Sequence, residues 1–290
     1  MVLRSEVVQT VIDILQQAQT SLPTWVLELI RSALDRETNP LARSHLDFML
    51  KNVSIAGEAK HPICQDTGLL IFKIDLGRDL NLDFNLRDAI AEGVRGATNT
   101  IPLRPNAVDP ITRKNSQDNT GIGMPDMIME LVEGEALCIT VFPKGAGSEN
   151  MSLVGMLNPA DDPFEFIVNM VAERAPNACP PLFLGIGLGG TFDLAARMAK
   201  HALFNLPGSS EMELELLERI NALGIGPMGL GGDTTVLGLK IERAYCHTAS
   251  LPVAINFQCW AHRIASAVVG QEGGEIRWPT NSKRRFVPRI

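Results

Sequence analysis

Stretches with helical spacing and short apolar runs follow one another irregularly along this chain, without the strand–helix–strand rhythm of a doubly wound parallel sheet. Val7, Val8, Val11, Ile14, Leu15 and Ala18 recur near helical spacing, and Leu22-Pro23 interrupts them. Trp25, Val26, Leu29, Ile30 and Ala33 mark a second helix. Asn39-Pro40 supplies an N-cap and a first-turn proline for a third, running to about Asn52. Strands are predicted over 69–76, 181–188, 234–241 and 253–257, and helices over 88–98, 162–174, 191–203, 211–223 and 260–269. Segments 127–132 and 136–142 read as a hairpin through Glu133-Gly134-Glu135. The fold class that follows is α+β, with a helix-rich N-terminal part (about 1–55) and small mixed sheets beyond it.

A chain of 290 residues, 45% of them hydrophobic, can bury a substantial core. Its net charge of −7, with basic residues scattered until the last positions, excludes the clustered basic face of a nucleic-acid binder. No apolar stretch approaches the ~20 residues of a membrane span, and residues 1–6 are not the start of a signal peptide. Five cysteines without an export signal argue against a disulfide framework and for a reducing, cytoplasmic setting.

Two glycine-dense segments invite a nucleotide reading. Gly185-Ile186-Gly187-Leu188-Gly189-Gly190 follows an apolar run and precedes a helix, as a dinucleotide fingerprint does. Twenty residues on, where an acidic ribose ligand should end a second strand, the chain reads Leu206-Pro207-Gly208-Ser209-Ser210-Glu211 and enters another helix. A nucleotide-binding oxidoreductase is therefore the weaker reading, and close backbone packing or an anion seat the stronger. The segment from Gly224 to Asp233 lacks the Gly-Lys-Ser/Thr end of a P-loop and reads as a structural floor.

Any single cysteine can be a small buried hydrophobe. That suits Cys138, inside an apolar run, and can also suit Cys246. Cys64, Cys179 and Cys259 differ, because each interrupts regular structure in a loop rich in glycine, proline or polar residues. No C-x-x-C occurs, which argues against zinc ribbons and ferredoxin-like clusters. Three loop thiolates on a soft metal centre would leave one metal position free for substrate. Nearby stand residues able to handle a carboxylate: Gln65 and Asp66 beside Cys64, the planar fork of Arg104, backbone N–H groups around Gly147, and His247 in a loop. Each has a duller reading alone, Arg104 as a surface ion pair and His247 as a hydrogen-bonded loop histidine.

Five motifs, in order, resemble the α subunit of the iron–sulfur-dependent class I fumarate hydratase and L(+)-tartrate dehydratase family. They are Pro62-Ile63-Cys64-Gln65-Asp66-Thr67-Gly68, Lys144-Gly145-Ala146-Gly147-Ser148-Glu149-Asn150, Asn177-Ala178-Cys179-Pro180-Pro181, the segment from Gly185 to Thr191, and His247-Thr248-Ala249-Ser250 through Cys259-Trp260-Ala261-His262-Arg263. The resemblance covers almost the whole chain. It implies one catalytic iron–sulfur hydro-lyase α-type domain over 1–290, with a cluster-binding part at about 56–270. It also implies an oxygen-sensitive [4Fe-4S] cluster held by Cys64, Cys179 and Cys259, with Cys138 and Cys246 at no ligand position.

By the same resemblance, Gln65, Arg104 and Gly147 would bind substrate, and Asp66 and His247 would be catalytic, Asp66 orienting or assisting the base. The expected activity is reversible hydration of a C4 dicarboxylate, fumarate to L-malate, with tartrate to oxaloacetate as the alternative. The family's single-chain members place the proton acceptor in a C-terminal domain that this sequence does not include. A separate β subunit of the swivelling-domain kind is therefore expected, in an α2β2 assembly or beside an α homodimer. The basic tail Lys283-Arg284-Arg285-Phe286-Val287-Pro288-Arg289 is expected to approach that partner or the substrate, or to be a solvated terminus.

Overall fold

Three helices open the chain in the computed structural model, which describes residues 2–270: α1 (Arg4–Thr20), α2 (Thr24–Arg36) and α3 (Pro40–Ala59). Their starts follow the local chemistry. Asn39 Oδ1 accepts the backbone N–H of Leu41 and Ala42, and Pro40 occupies the first turn, where no N–H is needed. The helix runs a full turn and more past Asn52, because Met49, Val53 and Ala56 keep the buried stripe going.

Seven strands and five α-helices follow up to Gln258, and an eighth strand closes the described fold. They are β1 (Leu69–Gly77), α4 (Leu86–Thr100), β2 (Asp126–Val132), β3 (Leu137–Lys144), the one-turn α5 (Ala146–Glu149), β4 (Leu153–Leu157), α6 (Pro163–Arg174), β5 (Leu182–Gly189), α7 (Phe192–Ala202), α8 (Glu211–Asn221), β6 (Val236–Ala244), β7 (Leu251–Gln258) and β8 (Ala265–Val268). Two four-stranded sheets result, ordered β2-β1-β3-β8 and β4-β7-β5-β6. Both are mixed. β1 pairs parallel with β2 and antiparallel with β3, while β5 pairs parallel with β6 and antiparallel with β7. The α+β expectation holds, and the antiparallel β7 beside β5 rules out a doubly wound nucleotide fold.

Two sequence expectations fail on pairing. Segments β2 and β3 are strands, yet they do not form a hairpin, because β1 lies between them. The Glu133-Gly134-Glu135 turn instead wraps the end of β1, where Gly77 and Asp79 donate to the carbonyls of Ala136 and Gly134. Partner choice went to β1, whose burial on both faces fits a central strand. Residues 260–269 are not helical; Ala265–Val268 form β8, antiparallel to β3. The short α5 and the strand β4 had no expectation attached. The basic tail lies outside the described residues.

Three large apolar clusters hold these layers among the described residues. Helices α1 and α4 cover the first sheet through Val7, Val11, Ile14, Ile90 and Val94. Helices α6 and α8 contribute Ile167, Val171, Leu216 and Ile220 against β5, β6 and β7 of the second. Between the sheets, Phe142 of β3 and Phe183 of β5 meet Val26 and Ile30 of α2 and Leu46 of α3. The glycines of β5 serve packing. A Cβ at Gly185 or Gly187 would stand 2.0 or 2.1 Å from a carbonyl oxygen of α7, so only glycine lets helix and strand approach this closely.

Candidate active site

The Cys64 loop joins α3 to β1 and is tied down on both sides. Asp66 accepts the N–H of Gly68 on one oxygen (2.9 Å) and that of Ala146, at the start of α5, on the other (2.7 Å). Gly68 has φ 78°, and a Cβ there would stand 2.8 Å from the Lys144 backbone. The Asp66 carboxylate thus clamps the Cys64 loop to the end of β3. The loop following α4 docks on the same place. Arg104 N–H donates to Thr67 Oγ1 (3.0 Å), and Asn106 Nδ2 donates to the Gly68 carbonyl (3.2 Å) and, at 3.4 Å, to Asp66 Oδ1. Cys64 is half-buried. The Gln65 and Arg104 side chains are exposed beside it, and Gly147 opens on free space.

Cys179 precedes β5 in left-handed backbone geometry, φ 57°, and is exposed. The glycine-rich segment predicted as a floor packs beneath its loop: Met228 N–H donates to the Pro180 carbonyl at 2.8 Å, and a Cβ at Gly229 would touch Pro176. Cys259 follows β7, whose Gln258 lies opposite Phe183 near the start of β5, so both cysteines sit at one end of the second sheet. Trp260 N–H donates to the Cys179 carbonyl at 3.4 Å and links the two loops.

Cys179 lies close enough to feel Cys64 and to act on Cys259. Burial pushes the Cys179 thiol up, and the charges of Cys64 and Asp66 add to it. Burial likewise raises Cys259, with Cys179 adding and the Arg263 and Lys144 charges opposing. Among the described residues no three His, Cys, Asp or Glu side chains converge tightly enough to hold a single metal ion. That observation bears on a mononuclear site. A cubane takes each thiolate on a different iron, so its ligands stand apart, and three coupled thiols on three separate loops suit that donor set.

Several groups around the site carried no sequence-level role. Lys144 is buried at the end of β3; its ammonium donates to Ser148 Oγ (3.0 Å) and to the Phe257 carbonyl, and pairs with Glu149 at 3.4 Å. Burial pulls its pKa down to about 8. Arg263, 1% exposed, donates to Gln19 Oε1 at 2.9 Å. The available signal was a lysine directly after an apolar run, and an arginine four residues past a cysteine.

Not every candidate joins this cluster. His247 lies in the exposed β6–β7 loop, its Nδ1 accepting the Ala249 N–H at 3.1 Å. Strand β7 separates it from Cys259 by roughly 25 Å at 3.3–3.4 Å per residue. The structure therefore does not bring His247 to the other residues within one chain. His262 is wholly enclosed, its ring 5.1–5.5 Å from those of Phe142, Phe183 and Trp25, so it faces no carboxylate. Cys246 is exposed and not core filler, and Cys138 lies half-buried on β3.

The α+β fold brings thiols from three loops, Asp66 and the Arg104 segment into one candidate small-molecule site. The sequence comparisons give its class. The profile of the family described as Fumarate hydratase (Fumerase) matches residues 8–268, and the chain belongs to that family of hydro-lyases. A Methanocaldococcus jannaschii protein, provisionally named L(+)-tartrate dehydratase subunit alpha, is 44% identical over 270 residues, 88% of this chain and 94% of its own length. An Escherichia coli L(+)-tartrate dehydratase subunit alpha is 34% identical over 256 residues, 84% of each chain. A Shigella sonnei protein of the same name is 32% identical over 262 residues, 86% of each.

Proposed function

We propose that this chain is the α subunit of an iron–sulfur hydro-lyase that reversibly hydrates fumarate to L-malate. The observation that carries the reading is the meeting of three distant cysteine loops: Cys179 and Cys259 lie at one end of the second sheet, joined by the Trp260 N–H, and the Cys64 loop beside Cys179 is held by Asp66 and the Arg104 segment. Cys64, Cys179 and Cys259 would hold a [4Fe-4S] cluster with one iron free of protein. When bound, that iron supplies a Lewis acid able to polarise a substrate hydroxyl.

The chain's own residues do the rest. Negative charge builds on the substrate carboxylate as a proton leaves the neighbouring carbon, and the exposed guanidinium of Arg104 is suited to hold it. Gln65 lies exposed next to Cys64 and offers an amide to the same carboxylate. Open space at Gly147 lets substrate approach the backbone of α5. Both oxygens of Asp66 already accept backbone N–H groups, which suits a positioning role and not that of the base. The base would come from a β subunit, in keeping with the α-subunit names of the relatives. His247, predicted to be catalytic, would reach a substrate only from beyond its own chain's cysteine cluster.

A second reading, tartrate to oxaloacetate, is favoured by those same names. The test is anaerobic reconstitution of the full chain with iron and sulfide, then rates on L-malate, fumarate, L-tartrate, meso-tartrate and mesaconate with and without the β partner. Turnover of fumarate that needs the partner is expected. Full activity of the chain alone would reject the divided site, and a tartrate preference would select the second reading. Cys179→Ala should abolish stable cluster binding; iron uptake equal to that of the unmutated chain would remove Cys179 from the ligand set.

A further inference from the structure

Among the described residues Arg263 is the largest fully buried side chain, and no carboxylate there lies within ion-pair distance of it. Its one hydrogen bond of good geometry goes to neutral Gln19, and its Nε, also buried, has no partner. The carboxylate of Asp66 stands across Gly145 from it: a Cβ built on Gly145 would be 3.2 Å from Asp66 Oδ2 and 3.8 Å from Arg263 Nη2. Both Asp66 oxygens are already occupied by backbone N–H groups. Lys144, with 1% side-chain exposure, shares its one carboxylate, Glu149, with Lys200 at 2.7 Å. Three cations therefore meet two acidic groups, one of which serves the backbone. Buried charge is costly unless matched, so a counter-charge is missing from this part of the chain.

The position of the excess points to the cysteines. The Lys144 ammonium lies on the Phe257 carbonyl, two residues before Cys259, and the Arg263 guanidinium, four residues after Cys259, stands across Gly145 from Asp66, two residues after Cys64. We propose that Arg263 and Lys144 are positioning residues that supply the buried positive charge offsetting a three-thiolate cluster, stabilising that cluster and easing its reduction. The inference rests on the cluster reading above and extends it: three thiolates outweigh the positive charge of the iron–sulfide core, so the bound group is net negative in a protein interior, and these two side chains are placed to meet it. A purely structural pair would instead be matched by protein acids, as Lys73 is by Asp75 and Glu130 elsewhere in the molecule.

The full chain, unmutated and as Arg263→Met, Lys144→Met, Arg263→Lys and Lys144→Arg, is compared with and without reconstituted cluster. Without cluster, the Met variants should melt at or above the temperature of the unmutated chain, because an unmatched charge has gone. With cluster, they should release iron to a chelator about tenfold faster. Their reduction equilibrium should be about tenfold less favourable, about 59 mV more negative for one electron. The charge-keeping variants should return towards the unmutated values. Met variants that lose stability equally in both states, fail to fold without cluster, or keep unchanged release and reduction would overturn the proposal while leaving the cluster intact. An unmutated chain that takes up no iron would instead overturn the cluster reading, and this inference with it.

Discussion

His262 and His201 both lie where the two sheets face each other, and the protein treats them oppositely. Around His262 the sheets meet through rings: Phe142 from the first sheet, Phe183 from the second and Trp25 from α2 enclose the imidazole. Neither ring nitrogen makes a well-aligned hydrogen bond, and burial drives the pKa down to about 3. Around His201, on α7, the sheets meet through charge. Its Nε2 lies 2.9 Å from Glu130 of β2 and its Nδ1 2.6 Å from Glu242 of β6. Although burial opposes protonation, the hydrogen bonds to the two glutamates raise the pKa to about 9, and His201 in turn is the main cause holding Glu130 down to about 2. One seam is dry and neutral, the other charged and matched. A buried histidine's charge is thus decided by what its neighbours present, and not by burial itself.

The comparison predicts an optimum of stability near pH 6.5. His262 is neutral when folded, so the unfolded chain takes up its proton first as pH falls; its contribution is present above pH 6.5 and drains away towards pH 3, up to about 5 kcal/mol. His201 is charged when folded; its contribution is present below pH 6.5 and is lost as pH rises through about 9, up to about 3 kcal/mol. Denaturant titrations from pH 4 to 10 should trace this two-sided curve, and a monotonic profile would break the contrast.

Single substitutions sharpen it. His262→Ala opens a cavity among three rings and should cost about 3 kcal/mol at pH 7, with a flatter acid limb. His201→Gln leaves two glutamates without their shared cation and should cost about 2 kcal/mol at pH 6, falling towards zero at pH 10. A loss that ignores pH would show that His201 acts through shape alone. Lys73→Met, removing a cation from Asp75 and Glu130 on the first sheet, should cost about 1 kcal/mol and raise the alkaline midpoint of the His201 limb, since Glu130 would then rely on protonated His201 alone.

What could be read from sequence was what local chemistry controls. The start of α3 is written in Asn39-Pro40, and that of α6 in Asp162-Pro163, whose carboxylate accepts from Phe164 and Glu165. The Cys64 and Cys179 loops were visible because proline or glycine breaks the chain around them, whereas Cys259 has neither beside it and stood out only by its polar neighbours Gln258 and His262. The hairpin expectation failed because a tight turn reports only that the chain reverses, and β1 competed successfully for both edges. The enclosure of His262 was invisible for a similar reason: Trp25, Phe142 and Phe183 come from three remote segments, while its immediate neighbours resemble any loop. Lys144 escaped notice because a lysine at a strand end ordinarily reaches water, and here Phe257 and Ser148 hold it inside.

The pairing of β8 with β3 carries a consequence for how the molecule is made. Cys138 faces Val268 in that ladder, and α1 packs over the same strand, so the first sheet is finished by nearly the last described residues. A ribosome delivers Cys64 and Cys179 well before Cys259 and β8 emerge. Long-range pairing of this kind is slow, and on the cluster reading proposed above a nascent chain offered iron early would present only two of the three proposed ligand thiols. Productive metal loading would then wait until Cys259 and β8 have emerged.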